Sequence, residues 1–186
     1  NISIGEKLTQ SLIEKGHRQI AFITAELDST SAYERFIGYK KALKEHGLEF
    51  NNSFLISASE EQLPVCVYKL LAMKTRPTAI VFSYDLLALT SYREIIRLGY
   101  KIPEEIEFAT LGDEELAQTY KFPVWSFCQN STEIGRLACE KLIQRRENPD
   151  KQPELIQVKP IPEKPQLFNP DTEHTATYNG VSKITT

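Results

Sequence analysis

The chain has 186 residues, enough for one domain with a sizeable core or for one domain and part of another. Hydrophobic residues at 41% and charged residues at 25% are ordinary for a soluble globular protein, and 22 Lys and Arg against 25 Asp and Glu leave a net charge of −3, too acidic and too well mixed for a broad phosphate-gripping face. No apolar run approaches the roughly 18 residues that a membrane span requires, and no charged-then-apolar export pattern opens the sequence, so no membrane partner and a cytoplasmic location are the expectation.

Residues 2–15 read as a helix, with Leu8, Leu12 and Ile13 apolar and Gly16 placed to end it. The run IAFIT (20–24) is too uniformly apolar for a half-exposed strand and suits a central parallel one. The segment STSAYERFIGYKKALKEHGL starts on the N-cap types Ser29 to Ser31 and stops at Gly47. Its Ala32, Phe36, Tyr39 and Leu43 recur at helical spacing. The alternation continues with a strand near 54–57 and a helix near 60–74. Next come TAIVFS (78–83) with a helix over about 86–98, and IEFATL (106–111) with a short helix near 113–120. Strands alternating with helices in this way indicate βαβ units and a parallel sheet, an α/β fold.

Past Phe122-Pro123 the character changes. VWSFCQ is a candidate strand, and NSTEIGRLACEKLIQRR a helix with Asn130 and Glu133 at capping-box spacing and a stripe of Ile134, Leu137, Ala138 and Leu142. Beyond Asn148, ELIQVKPI is the one strand-like stretch, and the many prolines there imply an edge position or a crossing linker. The polar, Thr-rich residues 169–186 lack periodicity and read as a tail.

Few chemical motifs are present. Cys66, Cys128 and Cys139 show no CxxC spacing and read as small buried hydrophobes in a reducing compartment. His17, His46 and His174 are scattered, so neither a metal nor a cofactor is expected. GxSxG, P-loop and GxGxxG patterns are absent from the sequence.

Five stretches taken together resemble the effector-binding core of the LacI/GalR family of bacterial transcription regulators: EKGHRQIAFIT, SAYERFIGYKKALKEHGL, RPTAIVFSYDLLAL, LGYKIPEEIEFATLGDEELA and STEIGRLACEKLI, in that order along residues 1 to about 168. The resemblance implies a Rossmann-like lobe of a periplasmic-binding-protein-like effector domain. Residues 1–125 would be its C-terminal lobe, 126–150 a crossover strand and helix belonging to the other lobe, and 151–168 a return strand. It also implies a piece of a longer chain, with operator DNA reached only through a head that is not in this sequence.

Ligands of an open parallel sheet collect beyond the carboxyl ends of its strands. Arg35, placed in the first turn of the helix after the first loop and one step off the apolar stripe, can face that crevice. It also matches the family's effector-contacting arginine. Tyr84 stands where the family usually has an asparagine, and Asp85 fits the family's aspartate, either as a helix cap or as a ligand contact. The family's ligand-binding aspartate falls on Gly112 and the adjacent acid on Asp113, so an acid is missing or displaced by one residue. Leu89, Tyr92 and Tyr120 match regions where family members pair, which implies a homodimer. The expectation is a non-enzymatic sensor of a small-molecule effector, a sugar or a related compound. A periplasmic sugar receptor, a regulator with a different DNA-binding head, and a small doubly wound enzyme using Asp85, Asp113 and Glu114 remain the alternatives.

Overall fold

Uninterrupted apolar runs become the inner strands, because a parallel strand is covered by helices on both faces. In the computed structural model, which describes residues 1–25, 27, 29–112 and 124–162, β1 (Ile20–Thr24) and β3 (Ala79–Phe82) are buried at every position. The other strands are β2 (Leu55–Ser57), β4 (Glu107–Gly112), β5 (Trp125–Cys128) and β6 (Ile161–Pro162). They form one sheet in the order β2-β1-β3-β4-β5-β6, parallel throughout except for the antiparallel β5–β6 pair. Phe22 pairs with both Leu55 and Val81, and Val81 with Ala109, which sets the register across the centre.

Alternate strand residues face opposite helix layers. On one face, Phe22, Val81, Ala109 and Leu111 pack with Leu8 and Leu12 of α1 (Ile2–Glu14) and with Phe36, Tyr39 and Leu43 of α2 (Thr30–Glu45). On the other, Ile23, Ile80, Phe82 and Phe108 pack with α3 (Leu63–Leu71) and α4 (Asp85–Arg97). Tyr39 is fully buried and its hydroxyl donates to the Ile20 carbonyl at 2.8 Å. Burial pushes this phenol well above its ordinary pKa. The stripe read from Ala32, Phe36, Tyr39 and Leu43 is therefore the face that α2 buries.

Backbones of α1 and α2 touch directly. A Cβ at Gly5 would lie 2.0 Å from the Arg35 carbonyl oxygen, and one at Gly38 would lie 2.0 Å from that of Ile2. Only glycine permits an approach this close.

Several sequence expectations are corrected. Residues 126–150 are expected to form a crossover strand and helix of another lobe; residues 125–128 form β5, which pairs in parallel with β4 as the fifth parallel strand of this sheet. The expected strand in ELIQVKPI shrinks to Ile161–Pro162, because Pro160 and Pro162 cannot donate ladder hydrogen bonds. Asn130 precedes α5 (Ser131–Glu147) in the left-handed region, at φ 55°, and its side chain makes no cap hydrogen bond. Glu133 instead pairs with Arg136, so the capping box is not formed. Ser29 is at the N-cap of α2, but its hydroxyl bonds that of Ser31 at 2.9 Å rather than the backbone. Cys66 is half-buried and Cys139 exposed, which contradicts the reading of the cysteines as buried hydrophobes. The helix near 113–120 and the tail lie outside the described residues. No residue of α5 is buried; Ile134 and Leu142 are 44% and 70% exposed.

Candidate functional site

In this strand order the chain leaves β1 toward β2 on one side and returns to β3 on the other. In doubly wound sheets ligands bind where the connections diverge, which here is beyond the carboxyl ends of β1 and β3. What lies there is determined by α2, which follows β1, and by the turn from β3 into α4.

Arg35 comes from α2, one turn deeper than expected because the helix begins at Thr30. It is 7% exposed and spans the switch point: its Nη1 donates to the carbonyl of Ser83, the residue after β3, at 2.5 Å. Its Nε and Nη2 donate to Asn1 Oδ1 at 3.2 and 3.0 Å. Burial lowers the guanidinium pKa while the adjacent Glu34 carboxylate raises it; the net shift is downward. A guanidinium titrates so high that Arg35 stays charged at neutral pH.

Ser83 is fully buried, and its Oγ has no hydrogen-bond partner among the described residues. Tyr84 is the N-cap of α4, in extended conformation, with its ring against the core cluster of α3 and α4. Asp85 is thus the first residue of the helix rather than its cap, and its negative charge sits favourably in the first turn.

Gly112 ends β4 beside Asp85. A Cβ at position 112 would come within 2.5 Å of Asp85 Cβ and 2.7 Å of Asp85 Oδ2. The Asp85 carboxylate therefore occupies the space that any side chain at 112 would need. An acid on the strand and Asp85 in its present position exclude one another.

Arg35, Tyr84 and Asp85 are thus brought to one edge, with Ser83, Gly112 and Asn1 added to them. Asp113 and Tyr120 lie outside the described residues. Leu89 is corrected: it is 4% exposed and belongs to the core of the α3–α4 face, so it has no surface left to offer a partner. Tyr92 is half-buried against the same core. Sequence reasoning missed Asn1, which carries no local signal, and Ser83, whose placement at the strand terminus was the available clue. The arrangement offers a fixed cationic donor, a carboxylate acceptor and a hydroxyl. Among the described residues no group of three or more His, Cys, Asp or Glu could hold a metal ion.

The family model described as a periplasmic binding protein-like domain matches residues 9–163. The ribose operon repressor of Haemophilus influenzae is 33% identical over 163 residues, covering 86% of this chain and 49% of the repressor. The HTH-type transcriptional repressor PurR of Mannheimia succiniciproducens is 30% identical over 153 residues, covering 80% of this chain and 45% of its own length. Among solved structures, a complex of the transcriptional regulator CelR with cellobiose superimposes with a TM-score of 0.74 at 27% identity, covering 82% of this chain and 47% of that one. A LacI-type regulator from Bacillus cereus gives a TM-score of 0.81 at 23% identity, covering 89% and 59%, which speaks to the fold alone. The chain spans about half the length of the curated relatives it matches. The switch-point arrangement, the five ordered segments and these matches lead to one statement: the chain belongs to the periplasmic binding protein-like domain family.

Proposed function

We propose that this chain is the effector-sensing portion of a cytoplasmic transcription regulator, that it binds a small polyhydroxylated molecule without turning it over, and that it works as a dimer. Operator DNA would be reached through a head that this chain does not contain. One observation carries the reading: Arg35 is held across the β1/β3 switch point by the Ser83 carbonyl, with the Asp85 carboxylate close by at the end of β4. A fixed guanidinium donates to hydroxyl oxygens and a carboxylate accepts from hydroxyls, so the pair suits a neutral polyol. The repressor relatives named for ribose support that class.

The reading assigns residues 1–125 together with β5 to one lobe, and the exposed face of α5 to contact with a second lobe. Self-association would use the apolar side chains left exposed on α3 and α4, Val65, Tyr68, Leu86 and Ile96, rather than Leu89. Tyr92 would flank them.

The test is isothermal titration of the full-length protein with D-ribose, D-ribose 5-phosphate, adenosine and cellobiose, followed by operator binding with and without each. Saturable binding of one compound, unchanged after prolonged incubation and coupled to altered operator affinity, is the expected result. Chemical conversion of a bound compound, or binding of none, contradicts the proposal.

A further inference from the structure

Arg35 is only as useful as its orientation, and the described contacts show what orients it. The long side chain makes three directional hydrogen bonds, and two of them end on a single atom, Asn1 Oδ1. Asn1 is held in turn at both ends. Its carbonyl accepts from the Ile4 and Gly5 amides at 3.0 Å each, and its Nδ2 donates to Glu34 Oε2 at 3.0 Å. The backbone at Gly5 abuts the Arg35 carbonyl with no room for a side chain. The first turn of α1 is thereby fixed against the stretch of α2 that carries Arg35. A guanidinium is planar, and saturating its Nε edge with one acceptor defines the plane and aims the remaining Nη hydrogens.

We infer that Asn1 is a positioning residue for Arg35: its side-chain oxygen sets the guanidinium plane at the switch point, and α1 is the element that delivers it. The inference rests on the effector-site reading for its consequence, ligand affinity, but not for its geometry. The amide group suits the task because it is an acceptor toward Arg35 and a donor toward Glu34 at once. A carboxylate would keep the first function and lose the second. A methyl group would lose both.

Two measurements on the full-length protein test it, using the variants Asn1→Ala and Asn1→Asp. The first is proton exchange of the Arg35 Nε–H with solvent, followed by nuclear magnetic resonance and assigned by its loss in Arg35→Lys. Slow exchange is expected in the wild type and in Asn1→Asp, and faster exchange in Asn1→Ala. The second is the dissociation constant for D-ribose, expected to rise about tenfold in Asn1→Ala, the effect of one lost charge-assisted hydrogen bond, and to stay within about threefold of wild type in Asn1→Asp. Unchanged Nε–H exchange in Asn1→Ala overturns the inference whatever the sugar does. Equal loss of affinity in both variants also overturns it, since that is how a merely structural residue behaves. Absence of ribose binding by the wild type, with the exchange pattern as expected, overturns ribose as the ligand and leaves the positioning role supported.

Discussion

Arg35 and Glu107 tie distant chain segments together at opposite ends of the same sheet. Arg35→Lys keeps the charge but replaces a fork by a point donor, which cannot serve the Ser83 carbonyl and Asn1 together. The variant should lose about 1–3 kcal/mol of stability, the cost of leaving a buried acceptor unpaired, and most of its effector affinity. Chemical denaturation and titration calorimetry read the two losses separately. At the amino end of the strands, Glu107 accepts from Lys15, while His17 bridges it to Thr78, with Nε2 3.0 Å from Glu107 and Nδ1 2.9 Å from Thr78 Oγ1. Burial raises the carboxyl pKa, but the hydrogen bonds from Lys15 and His17 together outweigh it, so the net shift is below the ordinary 4.5. A depressed carboxyl contributes stability that is fully present above 4.5 and is lost as pH falls through the lower folded value. Unfolding measured from pH 7 downward should therefore show a decline in this region that Glu107→Gln flattens; an identical acid limb in the variant would contradict the assignment. Arg35 was legible in the sequence because its spacing put it off the apolar stripe. Asn1 and the Gly112–Asp85 exclusion were not, since both depend on contacts between segments distant along the chain.

At the scale of elements, the alternation of strands and helices was readable because each inner strand is apolar without interruption and each helix carries a stripe. Ala32, Phe36, Tyr39 and Leu43 are buried as their spacing implied. The failures have local physical causes: prolines shorten β6, and a left-handed Asn130 removes the capping box. Glycine was the least legible residue. Gly38 and Gly135 both sit inside helices and look alike in sequence, yet a Cβ at Gly38 would lie 2.0 Å from the Ile2 carbonyl, whereas none of the described atoms comes within 4 Å at Gly135. Gly38→Ala should cost about 3 kcal/mol or more by forcing α1 off α2, the upper range for overpacking. Gly135→Ala should instead gain about 0.5–1 kcal/mol from helix propensity. Urea denaturation of the two variants side by side checks both signs, and similar shifts in the two would contradict the helix contact.

For the molecule as a whole, the contrast lies between a double-sided core and the exposed helix α5. Leu142 is 70% exposed and Ile143 51%, and Leu155 and Ile156, in the segment after α5, are 89% and 40% exposed. Exposed apolar side chains in such number on one segment favour association. The 186-residue chain should self-associate with increasing concentration in sedimentation velocity, and Leu142→Asp should reduce this without altering the unfolding midpoint by more than about 0.5 kcal/mol equivalent. The sequence indicated the stripe on α5; what covers it depends on residues beyond those that pack here. The direct test of the sensor account is hydrogen–deuterium exchange of the full-length protein with and without saturating D-ribose, D-ribose 5-phosphate, adenosine or cellobiose. The account predicts that at least one of these slows exchange in the first two turns of α2 and at the β3–α4 turn around Ser83 to Leu86. Slowing confined to other regions, or none with any of the four, would contradict it.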